Sequence, residues 1–202
     1  MDIIKSSFNK LKNYCETEQY RGWDPYDGLN SKVFQALPFK YWDLGRAIWI
    51  QIFKHSPINF RRLLLVPKEH NAKGVALFLL GYCKLYKLAE SGCNDFGTKE
   101  QLLIKVKEIT TLLLSLKSTG YSGACWGYNF DWQARRLFLF KKHTPTVVAT
   151  CFCVEALLES FEITKDEAVL KETISAANFV VNDLSRTTKL AALIVSFNTA
   201  SS

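Results

Sequence analysis

Two stretches of this chain are apolar around nearly the whole helical circumference: residues 70–89 (HNAKGVALFLLGYCKLYKLA) and 145–161 (PTVVATCFCVEALLESF). A helix without a polar face has to be covered on most sides. Each is followed by a segment with a clean stripe. The stripes are Leu102, Val106, Ile109, Leu113 and Leu116 within 98–117, and Leu170, Ile174, Ala177, Val181 and Leu184 within 165–184. A covered helix followed by an amphipathic one, twice over, is what an inner and an outer layer of helices require. The pattern predicts an all-α fold of αα-hairpins forming part of an α/α toroid.

Start signals fit this division. Thr98 and Gln101 form a capping box, as do Thr164 and Glu167, and Thr144 stands as N-cap before Pro145 at a first helical position. Residues 2–18 place Ile4, Phe8, Leu11 and Cys15 at helical spacing. Residues 40–54 (KYWDLGRAIWIQIFK) are again apolar nearly all round and are expected to be buried; following them directly with 70–89 breaks the alternation. A closed double ring needs roughly twice the helices this chain supplies. The expectation is therefore an incomplete ring over residues 1–187 and an atypical tail over 188–202. In that tail the apolar run Leu190–Val195 is too short for another ring helix.

With 48% hydrophobic residues, ten Gly and five Pro in 202, the chain is neither disordered nor fibrous. Its formal charge of +7 resides in residues 1–117, which carry 18 basic and 11 acidic side chains; residues 118–202 carry eight of each. The bases are scattered, with no run longer than a pair such as Arg61-Arg62, so a solvated face explains them better than an anion site. No nucleic-acid motif is present, and a nucleic-acid partner is not expected. Six cysteines include no C-x-x-C pair, and Cys151 and Cys153 would point to different sides of one helix. No metal or cofactor is expected. No apolar stretch reaches the roughly 18 residues of a membrane span. No secretory leader is recognisable either, so reduced thiols in a cytoplasmic protein are expected.

Chemistry concentrates in two long loops. The first, 19–32, holds Trp23, Asp24, Tyr26, Asp27 and Asn30; the second, 118–144, holds Trp126, Tyr128, Asp131, Trp132 and, at its end, His143. Sugars offer apolar C–H faces and a rim of hydroxyls, so flat rings mixed with carboxylates and amides suit them. Two carboxylates across such a cleft could act as acid and base on a glycosidic bond. Asp27 and Asp131 are the candidate pair, with Asp24 as substitute. Trp23, Asp24, Tyr26, Asn30, Trp126, Tyr128, Trp132 and His143 are candidate binding residues, with Arg61 as a bidentate partner for a carboxylate or phosphate. The structural alternative stays open for each: Asx residues cap turns, aromatics plug the end of a helical barrel, and histidines cap helices. Ser122 and Cys125 lack the spacing of a nucleophile with its base.

The stretches RGWDPYDGLNS, SPINFRRLLLV, GYSGACWGYNFDWQAR and HTPTVVATCFCVEALLE, in that order, resemble a group of bacterial proteins of capsular and other surface-polysaccharide gene clusters. That group is similar to the α/α-toroid superfamily of six-hairpin glycosidases, sugar epimerases and terpenoid cyclases. The resemblance covers about residues 15–187, with matching positions at Asp24, Asp27, Gly28, Asn30, Gly123, Trp126, Gly127, Asp131, Trp132, Thr146 and Thr150. It implies further hairpins after the segment Asn182–Thr187, where this chain departs, and hence a C-terminally truncated copy. It does not name an activity, and the dehydratase label some members carry finds no supporting residues here.

The expectation is a carbohydrate-handling protein of surface-polysaccharide biosynthesis, acting on or holding a sugar or sugar-linked intermediate. If it is an enzyme, its chemistry is glycosidase-like or epimerase-like. The alternatives are a non-catalytic helical scaffold, homo-oligomeric through bare inner-helix faces, and an isoprenoid-binding toroid.

Overall fold

The computed structural model describes residues 2–134, 138–186 and 195–196, and across these the chain is mostly helical. Helix α1 spans Asp2–Thr17, α2 Lys32–Ala36, α3 Asp43–His55, α4 Ala72–Glu90, α5 Lys99–Ser115, α6 Val147–Thr164 and α7 Glu167–Asn178. A π-turn, Phe179–Asp183, extends α7.

The core lies among α4, α5, α6 and α7. Helix α4 packs on both α5 and α6, and α6 packs on α5 and α7. Leu79 and Cys83 of α4, Val106 and Leu113 of α5, and Cys153 and Leu157 of α6 are all fully buried in one cluster. The apolar circumference of α4 and α6 is thus met by neighbours on several sides. The α5 stripe is buried at Leu102, Val106, Ile109 and Leu113. The Thr98–Gln101 capping box forms with both of its hydrogen bonds.

Four local expectations differ. Helix α6 is capped by Thr146, whose side chain accepts from the Ala149 amide, while Pro145 lies before the helix in a β-bridge with Gly127. Helix α7 is capped by Asp166 rather than Thr164, because α6 runs on through Thr164. The face that α7 buries is Val169, Thr173, Ala176 and Phe179, one residue out of phase with the expected stripe, and Ile174 and Val181 are exposed. The Thr173 hydroxyl donates to the Val169 carbonyl at 2.7 Å, so it is buried with its hydrogen bond made. Ala176 and Gly123 permit close approach there: a Cβ on Gly123 would lie 1.9 Å from the Ser175 carbonyl oxygen.

The fourth difference is α3. Its apolar residues are not covered all round: Ile50 and Phe53 are buried, but Leu44, Ile48 and Ile52 are exposed. The buried side of α3 joins a second, smaller cluster with Leu29 and Phe34. Helix α1 buries no residue fully, and Ile4 and Leu11 of its expected stripe are exposed.

Neither long loop is structureless. The first contains a 3-10 turn, Asp27–Asn30, and the second an antiparallel hairpin pairing β1 (Trp132–Ala134) with β2 (Phe138–Phe140). Helix α3 holds that hairpin through Arg46, whose Nε donates to the Gln133 side chain at 2.8 Å. Most of the expected tail, 188–202, lies outside the described residues; Val195–Ser196 pair with Ser185–Arg186. No described helix is long and apolar enough to cross a membrane.

Candidate functional site

The two loops are clasped together. Asn30 Nδ2 donates to the Asn129 carbonyl at 2.8 Å and also reaches a Glu69 carboxylate oxygen at 3.3 Å. The second loop is seated from its other side by glycine: a Cβ on Gly127 would lie 2.3 Å from the Thr144 carbonyl oxygen, so no larger residue fits without backbone movement. The Tyr128 carbonyl accepts the His143 amide at 2.7 Å, and the Trp126 carbonyl accepts the Thr146 amide at 3.0 Å. These bonds lay the segment 126–128 along residues 143–146, the approach to α6.

A groove of about 640 Å³ opens where the loops meet. Asp24, Pro25 and Tyr26 come to it from the first loop, and Tyr128, Phe130, Trp132 and Phe140 from the second. Asn71, Lys73 and Gly74 come from the start of α4, and Thr144, Thr146 and Val148 from the start of α6. The rings are ordered in two stacks. Tyr128 and Phe130 lie 5.4 Å apart at 26°, and Trp132 and Phe140 lie 5.5 Å apart at 14°. Trp132 remains 40% exposed, so ring surface is presented to solvent beside polar groups. The volume is that of a small-molecule site.

Asp24 is the carboxylate of the groove lining. Its Oδ1 accepts the Tyr26 amide at 3.0 Å and its Oδ2 accepts Asn71 Nδ2 at 3.3 Å. Asn71 in turn caps α4 through the Lys73 and Gly74 amides. Burial raises the Asp24 pKa above the ordinary carboxylate value, against the opposing pull of the Tyr26 amide, Arg61, Asn71 and Lys73. Burial also raises the Tyr128 phenol, and the Asp24 charge adds to that rise.

The remaining candidates sit elsewhere. Asp27 is 2% exposed and points inward: Oδ1 accepts Arg61 Nε at 2.8 Å and Oδ2 accepts the Asp24 amide at 2.9 Å. Burial raises its pKa too, although Arg61 and the Asp24 amide pull the other way. Arg61 also donates through Nη2 to the Asp24 carbonyl at 2.9 Å, so its fork is directed at the first loop itself. Asp131 accepts the Lys142 amide at 2.8 Å, which closes the hairpin from outside the groove lining. Trp126 is fully buried in the helical core and donates Nε1–H to the Leu113 carbonyl at 2.9 Å. Trp23 donates to the Val66 carbonyl at 3.0 Å and borders a second hollow with Arg61. His143 takes a left-handed backbone conformation, φ +64°, in an exposed turn.

Of the candidate residues, then, Asp24, Tyr26, Tyr128 and Trp132 converge on the groove, and Asn30 ties its walls. The pair Asp27 and Asp131 is not placed across it. Lys73, Asn71 and Phe140 belong to the groove without having been singled out, and Thr146 entered only as a position matched in the resemblance. Phe140 lies at the far end of the second loop, and Asn71 and Lys73 lie in the apolar segment 70–89, where nothing in the sequence marked them as site residues. The chain matches no protein-family model, no curated protein and no solved structure.

Proposed function

We propose that this groove is a carbohydrate site and that the chain is a carbohydrate-handling protein of bacterial surface-polysaccharide assembly, working in the cytoplasm. The observation that carries the reading is the meeting of stacked, partly exposed rings with Asp24, Asn71, Lys73 and two threonines at one opening. Rings supply apolar platforms for sugar C–H faces, and the amide, hydroxyls and carboxylate supply partners for sugar hydroxyls. The cytoplasmic assignment draws on six free thiols.

Any acid–base step is assigned to Asp24, the carboxylate in the groove lining, whose pKa burial raises. The helices are read as an arc of an α/α toroid. Support comes from the mutual packing of the two most apolar helices, α4 and α6, each followed by an amphipathic partner.

A glycan array that includes neutral, uronic-acid and amino-sugar oligosaccharides tests the site, followed by calorimetry on any binder. Trp132→Ala removes an exposed platform ring and is expected to weaken binding five- to tenfold, about 1 kcal/mol. It should leave helical content unchanged. Binding of polyprenyl phosphates with no glycan bound would replace this reading by the isoprenoid one.

A second reading has its own observation. Leu44, Ile48 and Ile52, spaced at i, i+4 and i+8, form an exposed aliphatic stripe on α3. Under it the chain is a scaffold that assembles through this stripe.

A further inference from the structure

A second hollow of about 530 Å³ adjoins the groove, and Asp24 and Pro25 line both. The adjacency recurs on the other walls. Leu77 of α4 lines the groove and Phe78, the next residue, lines the second hollow. Lys54 lines the second hollow and sits 5.1 Å from the centre of the Tyr26 ring, which lines the groove. The segment 24–26 therefore forms a sill between the two depressions. Pro25, shared by both linings, is exposed.

The second hollow also combines rings with polar groups, and it carries more charged side chains than the groove. Tyr14, Tyr20 and Trp23 supply rings, and Arg21, Lys54 and Asn59 supply hydrogen-bond donors. Tyr14 is 58% exposed. Each hollow alone has the volume of a small-molecule site. A single sugar ring would fill part of one and leave the other wet.

We propose that the two hollows are successive subsites for one extended ligand, a linear oligosaccharide that crosses the sill over Pro25. This rests on the carbohydrate reading of the groove and narrows it from sugars in general to chains of two or more units. Units on the groove side would lie against Trp132 and Tyr128, and units beyond the sill against Tyr14 and Trp23. Contacts made by linked units add without a second loss of translational freedom, so affinity should climb with length until both hollows are filled.

The test is calorimetric titration with size-fractionated chitin, cellulose and hyaluronan oligosaccharides of one to six units, the sugars serving as defined probes. The expected result is affinity rising at least tenfold between one unit and four in a series that binds. Tyr14→Ala and Arg21→Ala lie outside the groove lining. Each should weaken the long probes about three- to tenfold and leave the shortest binder unchanged. Trp132→Ala should weaken every length. Binding that is independent of length, or weakened equally for all lengths by Tyr14→Ala, overturns the two-subsite proposal and leaves the groove reading standing. Absence of binding by every probe at every length overturns both. Tyr14→Ala is checked for folding by circular dichroism, and Arg21→Ala, at an exposed side chain, gives the same comparison should the first unfold.

Discussion

At the scale of single residues, the carboxylates of the first loop carry a pH signature. Burial is the largest influence on both Asp24 and Asp27 and raises both pKa values. A carboxyl whose pKa is higher in the folded than in the unfolded chain favours the folded state when protonated. That contribution is complete below the unfolded value, about 4, and is lost as pH rises through the higher folded value. Denaturant unfolding of wild type and Asp24→Asn as a function of pH should show it. Wild type is expected to lose stability relative to the variant as pH climbs from about 4. A difference that is flat, or grows with pH, contradicts the assignment. Trp126 makes the opposite kind of prediction, since it is a core residue with a buried hydrogen bond rather than a ligand contact. Trp126→Phe leaves the Leu113 carbonyl without its indole donor and removes buried volume, at a cost of about 2–4 kcal/mol. Thermal unfolding should show that loss, while glycan affinity of the folded variant stays at the wild-type value.

Among the elements, what could be read from the chain depended on whether one segment's own pattern decided the outcome. Helix α5 was legible to its cap, because Thr98, Gln101 and a stripe buried at four of its five expected positions all act within a single segment. Helix α7 was not. Its buried face is set by close approach to the loop at Gly123 and by a threonine that bonds the Val169 carbonyl, so Thr173 and Ala176 turn inward and Ile174 turns out. Helix α3 looked buried because apolarity alone does not say what covers a helix. Its coverage comes from the first loop and the β1–β2 hairpin, which occupy one side. In the site, the two loops' mix of rings, carboxylates and amides was legible from their composition, whereas their meeting through the Asn30–Asn129 bond and the roles within them were not. Asp27 and Trp126 have the residue types of a sugar site, yet their partners, Arg61 and the Leu113 carbonyl, lie 34 and 13 residues away. Ile48→Glu tests the exposed stripe. As a surface change it should alter stability by no more than about 0.5 kcal/mol. Light scattering should then find the same mass for variant and wild type; an oligomer that the variant dissolves favours the scaffold reading.

For the molecule as a whole, the helical core and the loop-borne groove divide the labour. Helices α4 and α6 pack together deep in the core, and their first turns carry Asn71, Lys73, Thr146 and Val148 to the rim of the groove. The loops bring the rings and Asp24, and the Asn30–Asn129 clasp fixes one loop on the other. Rigid helix starts and a clasped aromatic wall make a site that is largely preformed, so a ligand should protect it without reorganising the core. Hydrogen–deuterium exchange with and without the best glycan from the array is the most direct measurement of that account. Protection is expected at 24–26, 71–74, 128–132 and 140–148, with the middle of α5 and the exposed stripe of α3 unchanged. Protection centred on α3, or a bound glycan that leaves those four segments unaltered, would contradict it.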